Sequence, residues 1–452
     1  MTVKIRFESL ENIMNSYKRT KCRACGAESL RRFVELGPTP LANSFLKSTE
    51  EFEEEAFYPL DVYFCETCSL VQLADVVDPE ILFRDYIYVT GTSDTIVAHN
   101  NRYAETVRDF LDLGGEDLVI EVASNNGQLL KCFQARGVKV LGVEPATNIV
   151  AMANADGIDT INRFFNSAAA GEIRERFGEA KAVIGNNVLA HVDETQDFLR
   201  GCKMLLDEDG LVIIEVPYLK EFVECVEYDT VYHEHLCYFS VTSLMRLCDS
   251  VGLSIVRIDH VPVHGGSLRM YAGRREKYAE HAPDVLVQSD AERRSGLTEF
   301  ETYVRFAEKV ENQRRELLSL LKRLKDEGKT VAAYGAPAKG NTLLNFCGID
   351  TSLISFTVDK NPLKIGLYTP GAHLPVLPVS ALLERQPDYV LILAWNFADE
   401  IIRQQREYQM RGGKFIIPIP EPRIIEYESS NSGWRIGHAF SRRNDGATQA
   451  NG

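Results

Sequence analysis

The sequence predicts a multidomain α/β protein: a small cysteine-bearing unit followed by two strand–helix alternations, each able to fold as a parallel sheet covered on both faces. Three observations predict it. The chain has 452 residues, and at roughly 150 residues per domain that length implies two to four domains. Two Cys-x-x-Cys pairs fall near the N-terminus. Short apolar runs ending in small polar loops then alternate with helical stretches, once from about residue 118 and again from about residue 330.

The first unit is expected over residues 1–80, closing at the Asp78-Pro79 turn. Its pairs, Cys22-Arg-Ala-Cys25 and Cys65-Glu-Thr-Cys68, each present two thiolates on a tight knuckle, and four thiolates make a closed tetrahedral zinc site of structural type. An inserted sheet or hairpin must bring the knuckles together. A redox pair, or two unrelated pairs, is the competing reading.

The second unit, expected over 81–255, carries strands at 118–122, 138–143, 182–185 and 211–216, with helices at 127–136 and 194–206. The third, expected over 256–428, opens with a long helix at 297–327, whose apolar residues Phe300, Val304, Ala307, Val310, Leu317, Leu321 and Leu324 share one face. Strands follow at 330–334, 353–358, 389–394 and 414–418. Residues 429–452 are polar and rich in Gly, Asn and Ser, the composition of a mobile tail.

A formal net charge of −15 argues against a general nucleic-acid or anionic-membrane binder, because phosphate binding rests on excess basic charge. No run of about 18 apolar residues predicts a membrane span, and the N-terminus lacks the apolar run of a secretory signal. A cytoplasmic location follows, where the ten cysteines stay unpaired and serve as metal ligands, nucleophiles or core.

The chemistry-bearing residues gather at predicted strand tips. Glu121-Val-Ala-Ser-Asn-Asn-Gly127 closes the first strand of the second unit, with small residues that let a ligand approach the backbone. Glu144, at the tip of the next strand, is placed to accept bonds from ribose hydroxyls. The two suggest a nucleoside cofactor without a crowded pyrophosphate, although an ordinary strand-to-helix turn explains the same residues. Tyr232-His-Glu-His235 is the densest acid–base cluster. On an extended segment His233 and His235 would share a side and Glu234 would lie opposite. One histidine oriented by a carboxylate would make a general base, whereas Glu227, Asp229 and Glu234 equally suit a charge-balanced surface loop. In the third unit, 335–339 could cradle a phosphate at a helix N-terminus, with Asp359, Lys360, Trp395 and Asn396 at neighbouring tips.

In order and number these motifs resemble the sugar C-methyltransferases of deoxysugar biosynthesis, which act on nucleotide-linked 4-keto sugars. The resemblance runs to about residue 425. It is carried by the cysteine pairs, Leu36-Gly-Pro-Thr-Pro-Leu-Ala-Asn43, Asp85-Tyr-Ile-Tyr88, Thr90-Gly-Thr-Ser93, the loop ending at Gly127, Asn187-Val-Leu-Ala-His191, Tyr232-His-Glu-His-Leu236, Tyr238-Phe-Ser240, His264-Gly-Gly-Ser-Leu-Arg269 and Tyr334-Gly-Ala-Pro-Ala-Lys339. It implies an N-terminal zinc-binding domain with Cys22, Cys25, Cys65 and Cys68 as ligands. It also implies a central Rossmann-like domain binding S-adenosylmethionine and a C-terminal Rossmann-like domain holding the sugar nucleotide. His235 matches the general base, with Glu234, Tyr232, Tyr86 and His191 at other active-site positions. Glu121, Ala123, Ser124, Asn125, Gly127, Glu144 and Asn187 fall on the cofactor site. His264, Arg269, Tyr334, Gly335, Lys339, Asn341, Asp359, Lys360 and Asn396 fall on the substrate side. Ala123 stands where a glycine is usual, and Cys237 replaces an expected serine.

The activity implied is removal of the proton next to the ketone, at C-3, followed by methyl transfer to the enolate. A methyltransferase for a sugar hydroxyl or phosphate would need the same cofactor fold without the ketone. A zinc-containing RNA-modifying protein conflicts with the acidic balance, and a nicotinamide oxidoreductase lacks its Gly-x-Gly-x-x-Gly loop. The expected partner is a dTDP- or other nucleotide-linked keto sugar, with no nucleic acid and no membrane, and the chain is expected to act as a monomer.

Overall fold

The computed structural model describes residues 16–84, 94–262 and 266–427. Tyr86 and its motif, His264, and the expected tail at 429–452 lie outside the described residues.

The N-terminal unit contains β1 (Ser16–Lys18), β2 (Leu30–Glu35), β3 (Asp61–Cys65), β4 (Val71–Leu73) and β5 (Asp75–Val77). β1 pairs with β5, while β2, β3 and β4 form an antiparallel sheet whose fourth strand, Cys237–Tyr238, arrives from the central unit. The long segment between β2 and β3 runs out as a strap toward the C-terminal unit. Leu46 makes a bridge to Tyr368, and Gly371 N–H and the His373 ring both bond the Glu55 carboxylate.

The central sheet holds β6 (Leu118–Val122), β7 (Lys139–Glu144), β8 (Thr160–Asn162), β9 (Ala180–Asn186) and β10 (Leu206–Pro217). After β11 (Cys237–Tyr238) come β12 (Leu253–Val261) and β13 (Ser267–Arg274). The order is β12-β13-β10-β9-β6-β7-β8, parallel except where β13 runs antiparallel to both β10 and β12. Val119, Ile120, Val183, Ile184, Ile213 and Ile214 are all buried, the near-continuous apolar pattern of strands covered on both faces. The expected division at 255/256 falls inside β12. The hairpin β12–β13 was missed as part of this sheet, so the sheet extends to Arg274.

The C-terminal sheet contains β14 (Val331–Tyr334), β15 (Thr357–Asp359), β16 (Val376–Pro378), β17 (Tyr389–Ile392), β18 (Lys414–Ile417) and β19 (Arg423–Ile425). Its order is β16-β15-β14-β17-β18-β19, with only β19 antiparallel. The strand expected at 353–358 shrinks to β15. The Asp350 carbonyl accepts from Leu353 and Ile354 N–H and its carboxylate from Ser352 N–H, which makes the preceding residues a turn. The long helix is Phe300–Asp326, starting three residues later than expected. Leu297 N–H still bonds Glu292 and Gly296 is left-handed, so the helix Pro283–Arg294 ends there first. Val304 is exposed, while Tyr303 and Phe306 supply the buried face instead. One apolar core runs through all three units, from Val34 through Ile120 to Leu343. Among the described residues no helix is long and apolar enough to cross a membrane.

Candidate active site and metal centre

The four expected thiols converge. The Sγ atoms of Cys22, Cys25, Cys65 and Cys68 lie within 4.8 Å of one another, with Cys22–Cys68 at 3.5 Å and Cys25–Cys65 at 3.6 Å. A tetrahedral zinc with bonds of about 2.3 Å sets its sulfurs about 3.8 Å apart, so the residues fit that ion. The two knuckles match: Gly26 N–H bonds Cys22 O and Ser69 N–H bonds Cys65 O, each at 2.9 Å, and Gly26 and Ser69 both adopt positive φ. The β2–β3 pairing, with Leu30 opposite Cys65, spans the interval between them.

In the central sheet the chain leaves β6 and β9 in opposite directions, which opens a crevice at the carboxyl ends of those strands. The expected cofactor residues meet there. Ala123, Asn125 and Gly127 are all left-handed, with φ of 55°, 49° and 73°. Gly142, on β7, faces this loop with no room for a side chain, since a Cβ would sit 2.5 Å from Ser124 Oγ. Glu144 grips the loop: its two carboxylate oxygens accept Asn125 N–H and Ala146 N–H, each at 2.9 Å. Burial pushes the Glu144 carboxyl up, and those two amides oppose it. Glu121 is buried and its carboxyl is raised well above the usual range, by burial first and then by Glu144. Glu121 Oε2, Ser124 Oγ and Asn186 Oδ1 are buried without a hydrogen-bond partner among the described residues. Asn187, left-handed at φ 52°, is fixed through its N–H to Glu215 O at 2.8 Å. A tight, polar, side-chain-poor crevice with orphaned acceptors fits the nucleoside and amino-acid groups of S-adenosylmethionine.

Beside the crevice, residues 232–235 form a turn and not the extended segment expected: His235 N–H bonds Tyr232 O at 2.8 Å. The two imidazoles therefore diverge. His233 is buried against Tyr58, donates from Nε2 to Pro59 O at 3.1 Å, and is depressed to about 4 by burial. His235 is half-buried, with Nδ1 2.8 Å from Thr230 O and Nε2 2.7 Å from Tyr232 Oη. A carbonyl only accepts, so Nδ1 carries the proton and the neutral ring presents its lone pair at Nε2. Its Nδ1 partner is the Thr230 carbonyl and not the carboxylate expected for a general base; the Glu234 carboxylate accepts Asn43 Nδ2–H at 2.6 Å. The His191 ring stands edge-on to His235, centroids 4.8 Å apart, and burial lowers its pKa to about 4.

The substrate-side expectations divide. Tyr334, Gly335, Asp359 and Asn396 sit at the carboxyl ends of β14, β15 and β17, and Tyr334 Oη and Asn396 Oδ1 are buried without a partner among the described residues. Asp359 repeats the grip of Glu144, accepting Ala336 N–H at 2.7 Å and Asn361 N–H at 2.8 Å. Lys339 lies over the Trp395 ring at 4.1 Å; burial lowers its pKa, while Asp229 and Glu227 favour its charge. Those two acids are buried, so the surface-loop reading fails. Asn341 holds the strap, donating to Ala42 O at 2.7 Å. Lys360 points outward to Gln404 and Glu400.

Arg269 is not on a substrate surface. It is buried, pairs with Glu215 at 2.8 Å and stacks on Tyr103 at 3.7 Å, and His99 completes the group, 3.0 Å from Glu215. His99 and Glu215 were missed because each lies in an ordinary amphipathic or apolar stretch, with no local motif around it.

A seven-stranded sheet with an acid-tipped second strand, beside a four-thiolate centre, defines a zinc-bearing Rossmann-like methyltransferase. Residues 22–83 match a zinc binding domain family, 97–258 a methyltransferase domain, and 262–420 the C-methyltransferase C-terminal domain. The chain is 39% identical over 410 residues to the C-methyltransferase NovU of Streptomyces niveus, covering 91% of this chain and 98% of that one. Among solved structures, magnesium protoporphyrin IX methyltransferase from Synechocystis is 16% identical with a TM-score of 0.30, covering 42% of this chain and 88% of that one. The CcbJ methyltransferase of Streptomyces caelestis is 12% identical with a TM-score of 0.31, covering 39% and 89%. The chain belongs to the C-methyltransferase family and is an S-adenosylmethionine-dependent methyltransferase with an N-terminal zinc-binding domain.

Proposed function

We propose that the enzyme methylates the carbon next to the ketone of a nucleotide-linked 4-keto deoxysugar, at C-3, with His235 as the general base. The observation that carries this reading is the fixed tautomer of His235. With Nδ1–H tied to Thr230 O, the Nε2 lone pair is the basic atom on a half-buried ring beside the cofactor crevice.

A carbon next to a ketone becomes nucleophilic only when its proton is removed. S-adenosylmethionine, when bound, supplies a methyl carbon made electrophilic by the sulfonium. In the resting site the Tyr232 hydroxyl donates to Nε2. On substrate entry that hydroxyl turns to the sugar's ketone oxygen, which frees Nε2 to take the proton and leaves Tyr232 donating to the enolate oxygen. His191, whose low pKa keeps it neutral, sits where it limits motion of the base. The unpartnered polar atoms of Tyr334 and Asn396 favour the C-terminal crevice as the seat of the nucleotide. The proposed units are 1–80 for zinc binding, 81–255 for methyl transfer, with the β12–β13 hairpin adding to its sheet, and 256–428 for the sugar nucleotide, and Tyr86, outside the described residues, is proposed as a further active-site residue.

His235→Asn keeps a donor for the Thr230 carbonyl and removes Nε2. Turnover on a keto-sugar nucleotide should fall about 10²- to 10⁴-fold with S-adenosylmethionine affinity unchanged. Near-normal turnover removes His235 from the base role. A ¹³C-methyl donor places the label by NMR, and a label found on oxygen rejects carbon methylation of the sugar.

A further inference from the structure

The turn that orients His235 is held from the C-terminal unit as well as by the domain it belongs to, where Thr230 N–H and Oγ1 donate to Glu227 O and Tyr238 Oη lies 3.5 Å from Thr230 O. Residues 228–231 lie between the central sheet and the C-terminal unit, and Tyr228, Asp229 and Val231 are each bonded from the C-terminal side. Asp229 is fully buried, and its Oδ2 accepts Trp395 Nε1–H at 2.7 Å from the residue that follows β17 by three positions. Tyr228 Oη donates to Gln313 Oε1 at 2.7 Å, on the long helix. Thr342 Oγ1, on the helix Ala338–Cys347, donates to Val231 O at 2.9 Å. Between Asp229 and Val231 stands Thr230, whose carbonyl accepts His235 Nδ1–H.

We infer that Asp229, Trp395 and Thr342 are positioning residues for the base: the C-terminal unit sets the tautomer of His235 by fixing the Thr230 carbonyl. A carbonyl direction is set by the peptide planes on either side, and both flanking residues are clamped by side chains of the other unit. If Thr230 O turns away, Nδ1–H loses that acceptor and the imidazole shifts toward the Nε2–H form, with the Tyr232 hydroxyl turning from donor to acceptor at Nε2; that form cannot accept a proton at Nε2. The arrangement couples the unit proposed to seat the nucleotide to the readiness of the base. Lys339 stands over the opposite face of this contact, with Trp395 beneath it and Asp229 and Glu227 favouring its charge. This inference rests on the reading of His235 as the base.

The experiment uses the full chain with zinc and S-adenosylmethionine bound, ¹⁵N-labelled at histidine, with His235→Asn identifying the His235 signals. In the wild type Nδ1 should be the protonated nitrogen. Trp395→Phe should shift His235 toward the Nε2–H tautomer and lower kcat about ten- to a hundredfold, the usual cost of losing an outer partner, with S-adenosylmethionine affinity unchanged. Thr342→Val, a nearly isosteric change, should move the tautomer in the same direction and covers the case in which Trp395→Phe fails to fold. Wild-type tautomer populations in both variants, or in Thr342→Val alone if Trp395→Phe does not fold, overturn the inference. The spectrum reads the tautomer whether or not His235 is the base, whereas near-normal turnover of His235→Asn overturns only the base assignment.

Discussion

Arg269→Met removes a guanidinium whose side chain is only 5% exposed and whose partner, Glu215, is 3% exposed. Burial alone would raise the Glu215 carboxyl, yet His99 and Arg269 outweigh it and hold it below the ordinary carboxylate range. The charged form is therefore the one built into the sheet. Taking away the arginine leaves a buried carboxylate with the His99 ring 3.0 Å away. Breaking one side of a buried pair costs about 3–5 kcal/mol, and losing the contact with Tyr103 adds about 0.5–2 kcal/mol. Glu215→Gln with Arg269→Met removes both charges, so the double variant should be more stable than Arg269→Met alone. Urea unfolding of the two single variants and the double variant measures this coupling. If Arg269 contacted substrate, Arg269→Met would instead unfold at the wild-type midpoint and show only a raised KM. That outcome would refute the assignment of Arg269 to the sheet's internal pairing.

Zinc counted on the purified, reduced protein should reach one ion per chain, and chelation should unfold the N-terminal unit, because structural zinc contributes about 10–16 kcal/mol in small thiolate domains; a metal-stripped chain with unchanged melting would contradict this. His233 has its pKa lowered to about 4 from 6.5. Its folded value lies below its unfolded one, so its contribution is intact above pH 6.5 and is lost as pH falls toward 4, by about 3 kcal/mol. His233→Asn should flatten the fall in unfolding free energy over that window, and an unchanged slope would reject the buried neutral form. Gly142→Ala should push Ser124 and its loop outward, weaken S-adenosylmethionine binding in calorimetry and lower stability by about 1–3 kcal/mol, because the added Cβ would sit 2.5 Å from Ser124 Oγ and 2.8 Å from Thr160 Oγ1, both buried. Binding equal to wild type would show that the loop yields freely.

Much of this was legible in the sequence because the signals are local. A knuckle is four residues long, so Cys22, Cys25, Cys65 and Cys68 could be paired without knowing how β2 and β3 cross. The tips of β6 and β7 follow from apolar runs that end in small or acidic residues, which located the loop ending at Gly127 and its partner Glu144. What escaped is set by contacts between distant segments. Nothing near Arg269 in sequence announces Glu215 or His99, 54 residues and more away. The acids Glu227 and Asp229 read as solvated because charge usually is, yet Trp395 and Lys339 arrive from the C-terminal unit to bury them. The turn at 232–235 defeated the two-residue alternation on which the shared side of the two histidines depended.

The zinc centre lies outside the chemistry, and its closed thiolate set leaves no position for substrate. Its consequence for the site runs through the strap. The knuckles fix β2 against β3, and the segment joining those strands carries Asn43 to the Glu234 carboxylate and Ala42 O to Asn341. From the opposite side Trp395 and Thr342 hold Asp229 and Val231. From the central sheet Ala190 O accepts Leu236 N–H at 2.7 Å. The turn bearing the proposed base is thus tied to three units at once. A net hydrogen bond contributes about 0.5–1.5 kcal/mol, and one to a charged group about 1.5–3 kcal/mol. No one of these ties dominates, and together they amount to several kcal/mol, enough to favour one conformation of a short turn strongly. On this account the flanking domains act on the reaction through the geometry of residues 228–236, with no need for either to touch the migrating methyl group.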